Sequence, residues 1–514
     1  MKKLLVSVSA LSFLTAALLL YSFFPQSKTD DNSVRIESGL ISGEQLSSGV
    51  IAYKGIPFAA PPVGALRWKP PQAVASWKGV RPCVEFGPSP MQSKPVPFMV
   101  YTREFLIPEK PISEDCLYLN IWTNAKKGEK RPVFVWIYGG GFVSGGAAVP
   151  IYDGEAMARK GIIFISVNYR VGVFGFLSHP ALTRESPEKS SGNYGILDQV
   201  AGLKWIKKNI EAFGGDPENI TIAGQSAGSM IANCLVASPL GKNLFQHVIS
   251  ESGSMLAYPA AGLHDAEEQG IRLASSVHAG NLEELRNMPA EAIMKFPAHY
   301  MPVVDGWVLP APVQEIFASG KQNPVPAIVG WNADEGYESG VKNKDDYLKE
   351  IREKYGSRSS EFLTYFPGNT DEEASASQFR YSRDMTFALS GYQWAKLQSV
   401  QEKSPIYVYY FSRKLPATAE FVKYGAFHTG EVAYVMDNLK FLHRPWEKDD
   451  QPLADLMSGY WARFMTEGTP NGGGLPAWPS FDTAKYQVMN FDKKSSVMEL
   501  PDRAELEFLL TLKQ

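Results

Sequence analysis

The sequence predicts an α/β fold: a large, mostly parallel sheet with helices on both faces. Three observations predict it. Short apolar runs alternate with segments of helical spacing over most of the chain. A triple glycine, Gly139-Gly140-Gly141, ends one apolar run. The stretch Ile222-Ala223-Gly224-Gln225-Ser226-Ala227-Gly228 sets Gly-x-Ser-x-Gly between a strand-like run and a helix-compatible one.

The chain has 514 residues, 44% hydrophobic and 20% charged, enough for a large core. A formal net charge of −3 gives no electrostatic footprint for nucleic acid or an anionic membrane surface. The N-terminus stands apart. Lys2 and Lys3 precede an apolar run from Leu4 to Phe24, followed by Pro25 and a polar stretch. This is the pattern of an export signal, and the run is also long enough to span a bilayer. Residues 1–33 are therefore expected to be a signal peptide or a membrane anchor with its linker. Residues 34–514 are expected to form a single exported domain, periplasmic or secreted. Export permits one disulfide among Cys83, Cys116 and Cys234, and Cys83–Cys116 is the favoured pair. Cys234 is expected to be a buried thiol. No Cys/His cluster has metal-ligand spacing.

The elements follow in order. Val34 to Gly55 reads as short strands with glycine turns. Tyr53 to Gly64, with Pro57, Pro61 and Pro62, is too rich in proline for a helix or a central strand and is expected to be an ordered loop. Residues 93–112 are irregular. Their aromatics Phe98, Tyr101 and Phe105 either line a substrate gorge or pack the loop down. Alternation from Leu117 to Trp122 predicts a strand. Val133–Tyr138 and Ile162–Val167 are apolar and predict buried strands. Asp198–Phe213 places Val200, Leu203, Ile206 and Ile210 on one helical face and stops at Gly214, with Pro217 beyond. His247–Ser250, Ala327–Val329 and Ile406–Phe411 read as further strands, and the charged 341–400 region as helices over the sheet.

A serine at a sharp strand-to-helix turn is held in a strained conformation with its hydroxyl exposed above the sheet. Such a nucleophile needs a base, an acid that orients the base, and an oxyanion hole. In this architecture the chain order is serine, acid, histidine. Only His428 and His443 follow a plausible acid. His428 comes shortly after the Ile406–Phe411 strand, where a loop emerges above the sheet, and is the better base. His443 lies beside Arg444, as at a surface. The acid is Asp334 or Glu335, both just after the Ala327–Val329 strand, and spacing does not choose between them. The oxyanion donors are expected to be the N–H of Ala227 and those of the glycine loop.

Five blocks together resemble the type-B carboxylesterase family of the α/β-hydrolase fold, related to cholinesterases and bacterial para-nitrobenzyl esterases. They are Gly55–Gly64, Glu114–Trp122, Tyr138–Phe142, Asn168–Gly172 with Gly192–Asp198, and Gly224–Gly228. The resemblance runs from Val34 to the C-terminal region, including Trp461–Phe464 and Thr469-Pro470-Asn471. It implies an esterase acting on small-molecule esters through an acyl-enzyme, with Ser226, Glu335 and His428 as the triad. Gly140, Gly141 and Ala227 match the oxyanion donors, and no cofactor or metal is implied. Glu431 matches a carboxylate near the histidine. Arg67 with Glu114 and Arg170 with Asp198 match buried ion pairs that pin the glycine-rich loops. Two alternatives stand beside the expectation of an esterase: a non-catalytic adhesion or binding member of the family, which would have lost the serine that this chain keeps, and an amidase or a hydrolase narrowed to one natural ester. Three positions depart from the pattern. Tyr138 stands where many relatives have histidine. Gln225 replaces the acidic residue of cholinesterases, which argues against choline esters. Pro90 stands where the usual first loop cysteine would fall, which weakens the Cys83–Cys116 pairing.

Overall fold

The computed structural model describes residues 32–126, 128–258, 261–337, 342–401 and 403–512. The Leu4–Phe24 run and the linker through Asp31 lie outside the described residues. Among the described residues, no helix is long and apolar enough to cross a membrane.

One sheet of eleven strands organises the chain. In chain order these are β1 (Glu44–Gln45), β2 (Ile51–Pro57), β3 (Tyr118–Thr123), β4 (Arg131–Ile137), β5 (Ile163–Val167), β6 (Gly215–Gln225), β7 (His247–Glu251), β8 (Ala327–Asn332), β9 (Ile406–Phe411), β10 (Gln487–Phe491) and β11 (Ser496–Glu499). Their spatial order is β11-β10-β9-β8-β7-β6-β4-β5-β3-β2-β1. All neighbours from β5 across to β10 are parallel. The flanking pairs are antiparallel. Parallel strands are covered on both faces, so they read as continuous apolar runs; Val133 to Ile137 and Ile163 to Val167 are all buried.

The helices that matter for the site are α1 (Tyr194–Asn209), α2 (Ala227–Ala237), α3 (Asp371–Arg383), α4 (Leu389–Gln401) and α5 (Asp450–Glu467). The α1 helix is continued by a 3₁₀ turn to Phe213 and stops at Gly214, whose φ of 83° is left-handed, as the sequence predicts. The helix α2 is buried at every position, packed on the sheet directly behind the serine turn. From Lys344 to Gln401 the chain is mostly helical, as expected for that region.

Two expectations are corrected. Tyr53–Pro57 is not loop but the last five residues of the seven-residue β2. The ladder shifts register between Tyr53 and Ile56, and the Gly55 N–H bonds to the Asn120 side chain at 2.8 Å. Proline is tolerated because Pro57 is the last residue of the strand. The Cys83–Cys116 disulfide is absent: all three cysteines are free and buried. The Cys83 backbone is tied to Ser42 and Lys54, whereas Cys116 borders a small pocket that Arg67, Trp68 and Arg170 also line. Burial pushes the Cys83 thiol up to about 11.

Candidate active site

β6 delivers the serine. It ends at Gln225, α2 begins at Ala227, and Ser226 between them has φ 58° and ψ −126°. Two main-chain bonds fix this conformation. The Ser226 N–H donates to Glu251 O and its carbonyl accepts from Met230 N–H, both at 2.9 Å. The turn is tight enough that a Cβ at Gly228 would overlap the Ile137 carbonyl oxygen. Glycine is required there by close approach of two backbones.

Glu335 and His428 meet on neighbouring strand ends. Glu335 is fully buried beyond β8. Its Oε1 accepts the Asn332 N–H at 2.9 Å, and its Oε2 lies 2.8 Å from His428 Nδ1. Because a carboxylate only accepts, Nδ1 carries the proton and Nε2 is left as the basic nitrogen. Asp334, adjacent in sequence, faces elsewhere: its Oδ2 accepts the Ala426 N–H at 2.9 Å and so holds the loop that carries His428. His443 is 90% exposed and pairs with Glu104.

Ser226 and His428 line one cavity of about 470 Å³, with no direct hydrogen bond between their side chains among the described residues. The Gln225 amide nitrogen contacts the imidazole instead, 3.1 Å from Nε2 and 3.2 Å from Nδ1. The ring of Phe387 stacks on the same imidazole, centroids 4.2 Å apart and planes 19° apart. Neither contact is signalled in the sequence beyond the place of Gln225 before the serine.

The glycine loop faces Ser226 across the cavity. Gly140 and Gly141 have φ 120° and 61°, and among the described residues no protein acceptor takes their N–H groups. Ala227 opens α2, where an N–H has no partner within the helix. Three donors are thus available for a developing negative charge. Tyr138 locks this loop. Its OH donates to Tyr169 O at 2.7 Å and accepts Tyr169 N–H at 3.1 Å, while Tyr169 OH donates to Tyr138 O at 3.0 Å. The two rings stack at 4.4 Å. Gln92 adds paired bonds to Gly145, 2.7 and 2.9 Å.

Both expected ion pairs are present. Arg170 forks onto Asp198 at 2.8 and 2.7 Å, both groups fully buried. Arg67 forks onto Glu114 at 2.7 and 2.5 Å. The 93–112 aromatics both line the cavity and pack. Phe98 is 54% exposed at the mouth, while Tyr101 donates to His428 O at 2.9 Å and meets Phe105 and Phe427 edge-on.

Next to Glu335 and His428 lie two further buried carboxyls. Glu431 Oε2 accepts from Asn332 Nδ2 at 2.5 Å, and Glu251 Oε1 accepts from Trp461 Nε1 at 2.9 Å. Burial pushes Glu251 up to about 8. Burial, then the neighbouring Glu251 and Glu335, hold Glu431 well above the usual carboxylate range. Among the described residues no group of His, Cys, Asp and Glu is placed to hold a metal ion.

Comparison with known proteins agrees with this geometry. The profile of the Carboxylesterase family matches residues 30–509. The chain is 35% identical over 487 residues to a fumonisin B1 esterase of Sphingopyxis macrogoltabida, covering 90% of this chain and 87% of the relative. It is 30% identical over 509 residues to a para-nitrobenzyl esterase of Bacillus subtilis, covering 93% and 99%. It is 33% identical over 489 residues to a human cocaine esterase, covering 87% and 85%. The strand order, the serine turn and the sequence match lead to one conclusion: this chain belongs to the carboxylesterase family.

Proposed function

We propose that Ser226, His428 and Glu335 are the catalytic triad of this carboxylic ester hydrolase. The bond from Glu335 to His428 Nδ1 beside the strained Ser226 carries the reading. The Ser226 hydroxyl attacks the ester carbonyl as His428 Nε2 accepts its proton. Glu335 keeps the imidazole in the Nδ1–H tautomer and stabilises the imidazolium. The tetrahedral oxyanion takes hydrogen bonds from the N–H groups of Gly140, Gly141 and Ala227, each worth ~10²–10³ in turnover. His428 then protonates the leaving alkoxide. Water attacks the acyl-enzyme by the same route, releasing the acid and restoring Ser226. The serine–histidine hydrogen bond forms with substrate in place, as is common for sites that tighten on binding.

The cavity is largely apolar and aromatic, with Phe98, Tyr101, Phe105 and Tyr152 among its walls and Lys94 at its rim. This favours neutral esters with bulky apolar groups. The relatives' names, a fumonisin B1 esterase and a cocaine esterase among them, fit an ester substrate. Lys2, Lys3 and the Leu4–Phe24 run support export of a single catalytic domain, periplasmic or secreted.

The test is hydrolysis of para-nitrophenyl esters from acetyl to decanoyl by wild type and Ser226→Ala. Turnover by wild type, with a loss of roughly 10⁶ in kcat in the variant, is the expected result. The chain-length profile then sizes the acyl pocket. A variant that keeps its turnover would remove Ser226 from the mechanism.

A further inference from the structure

We propose that Phe387 is a positioning residue for His428, clamping the imidazole between its own ring and the Gln225 amide. The proposal rests on the triad reading. Glu335 holds the imidazole at one edge atom only, Nδ1. A single bond at an edge leaves the ring free to rock about that bond, and rocking carries Nε2 off the line to Ser226. Restraint on the two faces prevents it. Phe387 covers one face, centroid to centroid 4.2 Å. The Gln225 amide nitrogen is nearly equidistant from both ring nitrogens, 3.1 and 3.2 Å. In the ring plane a group that close to both would overlap Cε1, so the amide lies over the remaining face.

The backbone beneath Phe387 is built for this placement. Asp384–Ala388 is a π-helical turn between α3 and α4. Such turns hold well under ~1% of residues and concentrate at functional sites. The extra residue changes the phase of the helix by about 100°, which sets the direction in which Phe387 projects. The turn is tied to the acid as well. Arg383 pairs with Asp384 and Asp502, each at 2.6 Å, and its Nη1 donates at 3.3 Å to the carbonyl of Ala333, two residues from Glu335. Tyr258 OH donates to Thr386 O at 3.1 Å. The segments bearing the acid and the clamp are therefore one unit.

The alternative is that Phe387, 2% exposed, is ordinary core. A core role predicts a stability loss without a specific effect on turnover. A clamp predicts more, because an aromatic face attracts a cation and the imidazole becomes imidazolium on the way to the transition state. The stack is then stronger in the transition state than in the ground state, which raises kcat without changing KM.

The experiment compares Phe387→Leu, Phe387→Met and Phe387→Tyr with wild type and Ser226→Ala on para-nitrophenyl acetate, with the unfolding midpoint of each. The Leu and Met variants are expected to lose about tenfold in kcat with KM within about threefold. Tyr, which keeps the aromatic face, is expected to restore kcat to within about threefold of wild type. Folded Leu and Met variants with wild-type kcat overturn the proposal, as does a loss that Tyr fails to rescue. If wild type is inactive, or Ser226→Ala is active, the triad reading fails instead. Active wild type, dead Ser226→Ala and unaffected Phe387 variants remove the clamp alone.

Discussion

Asp334 and Glu335 are adjacent carboxylates with different tasks. Glu335 bonds His428 Nδ1, and Asp334 caps the Ala426 N–H that shapes the histidine loop. The two substitutions should therefore separate. Glu335→Gln is expected to lose about 10⁴ in kcat, because the amide cannot hold the Nδ1–H tautomer. Asp334→Asn keeps an acceptor for the backbone N–H and is expected to stay within about tenfold of wild type, since it loses only the charged character of one hydrogen bond. Steady-state kinetics on one ester decide it; equal losses would mean that the loop and the acid act as one. At this scale the sequence carried Ser226 and His428 through motif and chain order. It could not choose between the two carboxylates, since that choice depends on which way each side chain leaves the turn after β8. The resemblance to a family made the choice. The contacts of Gln225 and Phe387 with His428 were illegible, because they join segments far apart in the chain.

The proposed mechanism depends on the serine turn, an element whose backbone is strained. A non-glycine residue at φ 58° and ψ −126° costs ~1–3 kcal/mol. Ser226→Ala keeps that strain, and Ser226→Gly relieves it. Both should be inactive, but the glycine variant is expected to unfold ~1 kcal/mol later than the alanine variant. Urea unfolding of the two would show it, and equal stability would mean the turn is unstrained. Most elements were readable: the parallel strands are apolar throughout, and α1 declares its end at Gly214. Tyr53–Pro57 was misread because proline composition was weighed without knowing that Pro57 ends the strand. The π turn was invisible, since one added residue within a helical pattern does not alter the order of apolar and polar positions enough to be seen.

Over the whole molecule, buried ionisable groups set how stability depends on pH. Burial raises Glu251 to about 8 and, helped by the Asp502 charge, Glu505 to about 7. The folded chain therefore holds protons that the unfolded chain releases. Their contribution is full below the ordinary glutamate value of 4.5 and is lost as pH rises through 7 to 8. His247 has the opposite sign. Burial lowers it from 6.5 to about 4, so stability falls as pH drops between those values. The trends offset below pH 6.5, and only the carboxyl trend remains above it. The unfolding temperature is expected to fall from pH 6.5 to pH 8, with a shallower slope in Glu251→Gln; an identical slope would remove Glu251 from the account. The general architecture and an esterase-type serine turn were legible at this scale. The absence of a Cys83–Cys116 disulfide was not, since cysteine counts carry no distances.

The central claim is that an acyl group passes through Ser226. Rapid quenching of the enzyme with a slowly deacylating para-nitrophenyl ester, followed by peptide mass analysis, tests it most directly. The predicted result is one acyl group per chain on the peptide containing Gly224–Gly228, absent in Ser226→Ala. Turnover with no acyl-enzyme, or an acyl group on another residue, would contradict it.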